Sequence, residues 1–165
     1  MLQIRAYKPR RDREAVRNLL RELLSSEKEK ESEWPAPDEI FELYYNRMMK
    51  LCRKHAGKIF IADEGGEVAG FVTVLGNVLP SYPDEYPLQY AKITELVVNR
   101  SYQNRGIGRR LIAAAESYAR QRGVSSIRLE ASGANSEGRR FYTREGYREL
   151  VIEFIKKFDQ PGKGK

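Results

Sequence analysis

The run from Tyr90 to Val98 constrains this chain most, because its apolar residues fall at successive positions and give it two apolar faces. A strand of that kind is covered on both sides, which requires layers above and below one sheet. The run leads through a glycine-bearing loop, Gln103-Asn104-Arg105-Gly106-Ile107-Gly108-Arg109, into a stretch where Ile107, Leu111, Ala115, Tyr118 and Ala119 keep helical spacing. Gly123 supplies a left-handed stop, so a helix is predicted from Gly106 to Arg122.

The flanking segments supply the layers. Ile4 to Tyr7 reads as a short strand, and Asp12 offers an N-cap to a helix striped by Val16, Leu19, Leu20, Leu23 and Leu24. A charged stretch of mixed sign from Ser25 to Glu33 and a turn from Trp34 to Pro37 precede a second helix, capped by Asp38, running to about Arg53 and ended by Gly57. Lys58 to Asp63 and Glu67 to Leu75 flank Gly65-Gly66 as a hairpin. The proline-rich loop Pro80 to Pro87 is too broken for a regular element. Downstream, Ser126 to Ala131 reads as a strand, Asn135 to Arg144 as a short helix closed by Gly146, and Tyr147 to Phe158 as a long last strand. Paired strands followed by strand, helix and strand predict a mixed α/β sheet with helices on both faces.

With 165 residues, and neither a repeat nor a linker, the chain is expected to form a single domain over residues 1–158, followed by a frayed tail over 159–165. Cys52 is the only cysteine, which excludes an intrachain disulfide and a zinc site built on several thiolates. No metal is expected, and a reducing cytoplasm fits best. No run approaches the length of a membrane span, so no membrane partner is expected. The net charge of +7 and pI near 9.5 invite a nucleic-acid reading. Part of that excess lies in the lysines of the tail, however, and much of the rest is spread along helices that also carry glutamates. A phosphate-rich small molecule draws on the same charge.

The loop before the long helix is where such a molecule would bind. The first turn of a helix has amide hydrogens without intrahelical partners and the positive end of the helix dipole, and glycines there let an anion approach the backbone. A nucleotide P-loop needs lysine and a hydroxyl residue after its glycines, whereas Arg109 and Arg110 follow Gly108. A dinucleotide fold needs a third glycine where Leu111 stands. A lone pair of glycines otherwise marks only a tight helix entry.

Three linked segments go further. Ile93-Thr94-Glu95-Leu96-Val97-Val98, the Gln-x-x-Gly-x-Gly loop from Gln103, and Asn135-x-x-Gly138-x-x-Phe141-Tyr142-x-x-x-Gly146-Tyr147 resemble, in order and spacing, the GNAT superfamily of acyl-CoA-dependent N-acetyltransferases. The resemblance covers Ile93 to Tyr147, with glycine at 138 where many members have alanine. It implies a largely antiparallel sheet with one splayed parallel pair, and acetyl-CoA as co-substrate. It also implies that Leu96, Val97 and Val98 pair with the pantetheine arm like an added strand. Gln103, Asn104, Arg105, Gly106, Ile107, Gly108 and Arg109 then hold the pyrophosphate, while Asn135 and Tyr142 line the thiol end.

An alkylamine is almost wholly protonated at neutral pH, so presenting its free base costs roughly 4–5 kcal/mol, and a general base helps. Ile93, Glu95 and Val97 share one strand face, so Glu95 is a carboxylate among apolar neighbours, where desolvation raises its pKa. Its competing reading is a carboxylate paired with an arginine at the end of the sheet. Glu130, which alternates with Arg128, is the rival base, and Lys92 stands where some relatives carry an acidic one. Tyr142 is the candidate general acid, with core packing beside Phe141 as its alternative, and a backbone amide near Val97 or Val98 is the candidate oxyanion donor. Cys52 reads as packing and His55 as a helix-end surface residue.

The amine acceptor is not encoded in these motifs. Tyr82, Asp84, Glu85 and Tyr86 are candidates for receiving a cationic amine, and the last strand offers an edge for a homodimer. Two other classes compete: a non-catalytic acyl-CoA-binding sensor, and a basic nucleic-acid binder whose affinity falls steeply with salt.

Overall fold

A computed structural model describes residues 1–80 and 89–158. The candidate acceptor residues Tyr82, Asp84, Glu85 and Tyr86 lie outside the described residues, as does the 159–165 tail. The chain divides into two compact units, Met1–Asn135 and Ser136–Lys165.

The first unit contains, in order, β1 (Leu2–Ala6), α1 (Pro9–Lys30), α2 (Pro37–Lys54), β2 (Lys58–Glu64), β3 (Glu67–Val78), β4 (Tyr90–Val98), α3 (Ile107–Gln121) and β5 (Ile127–Arg128). The strands form one sheet in the order β1-β2-β3-β4-β5. Neighbours are antiparallel except β4 and β5, which run parallel. This is the mixed sheet predicted from the order of segments, largely antiparallel with one parallel pair as the family resemblance implies. The second unit holds α4 (Ser136–Arg144).

Both faces of the sheet are covered, as the two-sided apolar character of β4 requires. On one face Val16, Leu19, Leu20 and Leu24 of α1 and Phe41, Tyr45 and Met48 of α2 form a single core with Ile59, Ile61, Phe71 and Val97. The opposite face carries α3, whose Tyr118 ring meets Phe60 edge-on at 6.2 Å between centroids. Gly70 lets β3 approach β4 closely, because a Cβ there would stand 2.5 Å from the Val97 carbonyl oxygen.

The helix starts differ from expectation. Asp12 does not cap α1: Pro9 occupies the first helical position and Lys8 is the N-cap, since the fixed φ of proline suits that position. Asp12 instead reaches back to accept the Lys8 amide at 2.7 Å. Asp38 is displaced in the same way, with Pro37 in the first turn and Ala36 as N-cap. α1 also runs on to Lys30 through two thirds of the charged stretch, with a Glu27–Lys30 ion pair at 3.0 Å.

Asp12 belongs to a buried charged cluster that ties β1, α1 and the β2–β3 turn together. Arg5 donates to both Asp12 oxygens at 2.7 and 2.8 Å and to Asp63 at 2.7 Å. Arg11 and the Gly66 amide complete Asp63, each at 2.7 Å. The Arg5 guanidinium holds both carboxyls below their ordinary range. Their folded pKa values are depressed, so the stabilisation is present above the ordinary carboxylate range and is lost as pH falls through it towards the folded values. Asp12→Asn is expected to cost about 3 kcal/mol, because it leaves Arg5 under-compensated in the core. Denaturant unfolding at neutral pH checks the size, and the difference from wild type should shrink as the solution is acidified.

Two strand predictions are corrected. The strand predicted over Ser126 to Ala131 is reduced to Ile127–Arg128. Residues 147–158 form no strand, and Val151, Phe154 and Ile155 are largely exposed. β-branched and aromatic composition favours a strand, but ladder hydrogen bonds come only from a neighbouring edge, and residues 147–158 form no ladder in this structure.

Candidate active site

β4 ends in a 3-10 turn, Arg100–Tyr102, in which the Asn99 side chain accepts the Ser101 amide at 2.9 Å. Gln103 then folds back, and its Nε2 donates to the Val98 carbonyl at 3.2 Å. The chain enters α3 through two left-handed residues, Asn104 at φ 61° and Gly106 at φ 75°. Asparagine and glycine are the residues that adopt this conformation most readily. Gly106 is the N-cap, and no side chain caps α3. A Cβ built on Gly106 meets nothing within 4 Å. The Arg110 amide returns to the Gly106 carbonyl at 3.2 Å, whereas the earlier amides of the first turn have no intrahelical acceptor. The result is an open entrance lined by backbone N–H groups, with Arg105 and Arg109 exposed beside it. Arg105 stacks over the Tyr102 ring at 5.3 Å. A diphosphate is the kind of ligand such an entrance fits.

The adjacent edge of β4 is also open. β4 pairs with β5 only at Ala91–Ile127 and Lys92–Arg128. From Ile93 to Val98 that edge has no strand partner among the described residues, so its peptide groups remain available for an extended ligand. Leu96 and Val98 are half-buried and Val97 is buried. Through the Gln103–Val98 hydrogen bond the end of this edge and the loop before α3 are brought together.

Glu95 lies on the face covered by α1 and α2, on the same side as Val97, and is 3% exposed. Desolvation pushes its pKa up, against the opposing pull of Thr94, Thr73, Arg47 and Tyr44. Thr94 Oγ1 donates to Glu95 Oε2 at 2.6 Å. Thr73 stands opposite in the ladder, close enough to favour the ionised carboxylate yet without the geometry of a completed hydrogen bond. Tyr44 of α2 is pushed up to about 12, first by its own burial and then by the Glu95 charge. Cys52, about two turns further along the same stripe of α2, is raised to about 11 for the same two reasons. No ion pair to Glu95 forms among the described residues, so the arginine-paired alternative is not what is observed. Thr73, Thr94 and Tyr44 were not singled out from the sequence. Tyr44 could have been, because it lies four residues from Met48 on the stripe of α2 that faces the core.

The other candidates fall elsewhere. Glu130 is a surface carboxylate, 83% exposed at its side chain and ion-paired with Lys92. Asn135 closes the first unit with its amide bonded to Ser132 at 2.9 Å. Tyr142 belongs to the second unit, half-buried between Phe141 at 5.4 Å and Tyr147 at 6.1 Å between ring centroids. Cys52 is half-buried rather than fully packed, and His55 ends α2 with its Nδ1 3.0 Å from the Asn77 carbonyl oxygen. No helix among the described residues is long and apolar enough to cross a membrane.

A family model described as acetyltransferase (GNAT) family matches residues 14–147. The chain belongs to the GNAT acetyltransferase family. This GNAT chain is 30% identical over 95 residues to the uncharacterized N-acetyltransferase YhfO of Bacillus subtilis, a match covering 58% of the chain and 61% of YhfO. It is 33% identical over 100 residues to an aminoalkylphosphonate N-acetyltransferase of Salmonella typhimurium, covering 58% of the chain and 60% of that protein. The match thus spans about six tenths of each of these relatives. A GCN5-related N-acetyltransferase from Ralstonia eutropha has the same fold, with a TM-score of 0.73 at 20% identity over 96% of this chain and 99% of that one.

Proposed function

We propose that this GNAT chain transfers an acetyl group from acetyl-CoA to a primary amine by direct attack in a ternary complex. The observation that carries the reading is the uncapped entrance to α3, reached through left-handed Asn104 and Gly106, beside the unpaired half of β4. In this reading the amides from Gln103 to Arg109 hold the pyrophosphate, the free edge at Leu96 to Val98 takes the pantetheine amides, and Asn135 borders the thiol end. Acetyl-CoA supplies the activated thioester carbonyl. Glu95 accepts the proton that the attacking amine loses, and a backbone amide near Val97 or Val98 meets the negative charge on the carbonyl oxygen; Tyr142 is kept as the candidate acid for the departing thiolate on the resemblance of its motif alone. The raised pKa of Glu95 suits this role, since a base titrating nearer neutrality takes a proton more readily than an ordinary carboxylate. The protein would act in the cytoplasm, with a homodimer compatible with its exposed last segment.

Mass spectrometry of an amine panel incubated with acetyl-CoA tests the reading. Polyamines, aminoglycosides, amino acids, aminoalkylphosphonates and peptide amines form the panel, and at least one is expected to gain an acetyl group. Tight binding of acetyl-CoA with every amine left unmodified would instead make the chain a sensor of the thioester.

A further inference from the structure

One polar group in the core has no task in the chemistry above. Thr73 is fully buried in β3, and its Oγ1 lacks a hydrogen-bond partner among the described residues. An unsatisfied buried hydroxyl costs stability, and valine, of the same shape, would avoid that cost. Position explains the threonine. Thr73 stands opposite Glu95 in the β3–β4 ladder, where facing side chains share one side of the sheet and their Cβ atoms lie about 4.5–5.5 Å apart. Beyond this pair the ladder slips by one residue, from Thr73–Glu95 to Val74–Ile93. Thr94 therefore opposes no residue of β3, and its hydroxyl already occupies Glu95 Oε2.

We propose that Thr73 is a positioning residue for Glu95: its otherwise idle hydroxyl turns to donate to the ionised carboxylate and, with Thr94, fixes which oxygen faces the incoming amine. The proposal rests on the reading of Glu95 as the base. In the step it serves, the amine N–H bond breaks, an O–H bond forms on Glu95, and Thr73 keeps its own proton throughout. The hydroxyl rotates to suit either state. Its bond to the charged carboxylate is stronger than any it makes with the neutral acid, so the favoured form is the one that catalyses. The other groups facing Glu95 are Tyr44, Arg47 and Cys52, all on α2. On α1, the Glu27 charge acts on Tyr44.

The experiment compares Thr73→Val and Thr73→Ser in the full chain. It reads kcat/KM against pH for an accepted amine, and the carbon-13 titration of the Glu95 carboxyl, identified by its absence in Glu95→Gln. Thr73→Val is expected to move both the acidic limb and the Glu95 titration up by about one pH unit, a tenfold fall in kcat/KM on the acidic side. KM for acetyl-CoA should stay unchanged, and Thr73→Ser should restore both curves. A Thr73→Val titration that overlays wild type, or a serine variant displaced as far as the valine one, overturns the proposal. Thr73→Ala replaces valine in the comparison should that variant fail to fold. A displaced Glu95 titration in a chain that acetylates no amine would sink the base reading instead, so the two failures are distinguishable.

Discussion

Glu95→Gln is expected to lower amine turnover by about 10²–10⁴-fold, the usual contribution of a general base, while making the protein more stable at neutral pH. The two effects share one cause. The Glu95 carboxylate is buried at 3% exposure with its pKa pushed up by desolvation. A raised carboxyl pKa means that the folded state holds the proton more tightly than the unfolded chain does. Wild-type stability therefore falls as pH rises from the ordinary carboxylate range through the folded value, and levels off above it. Glutamine has no proton to lose there and escapes the fall. The gain should be about 1–2 kcal/mol above that window, in the range seen when buried charges are replaced by uncharged groups, and should vanish below it. Initial rates and denaturant unfolding over a pH series measure both arms. Unchanged rates would transfer the base to Glu130 or to water. An acidic limb of kcat/KM at the ordinary carboxylate value would show that Glu95 titrates as if solvated.

The second large effect is expected at Gly106. Gly106→Val should weaken acetyl-CoA binding by at least about 100-fold, the equivalent of one or two charge-assisted hydrogen bonds at roughly 1.5–3 kcal/mol each. Two physical effects combine. A β-branched residue is strained at φ 75°, and its side chain fills space that is open in the structure. Gly106→Asn separates them, because asparagine tolerates the left-handed conformation but still adds bulk. An asparagine variant as weak as valine assigns the loss to the filled entrance, and one near wild type assigns it to strain. Calorimetric titration with coenzyme A provides the numbers, and circular dichroism verifies that α3 persists. Undiminished binding in both variants would remove the diphosphate from this corner.

How far the sequence could be read depended on whether a signal was local. β4 was legible to its ends because its two-sided apolar run is bounded by Pro87 and by the polar loop after Val98. α3 was legible because Gly106 and Gly123 punctuate a clean apolar stripe. The N-terminal helices were placed correctly but their caps were not. An aspartate near a helix start looks like a cap whether or not a proline has already begun the helix, and the claim of Arg5 on Asp12 appears only once β1 is folded against α1. Residues 147–158 show the opposite error, since strand-like composition says nothing about which edge would receive it. Of the candidate site, Glu95 and the Gln103 to Arg109 loop could be proposed from the sequence because they lie close together along the chain. Thr73 was not. Its relation to Glu95 is a matter of register between two strands, and the slip at Thr94 that shapes it has no mark in either segment alone.

The face of Glu95 is roofed by α1 and α2, from the first third of the chain, whereas β4, its loop and α3 form one uninterrupted stretch. Two demands on the molecule are thus written in separate parts of its gene. Mutations drifting through the first part can reshape the ceiling over the carboxylate without disturbing the passage proposed to grip a nucleotide.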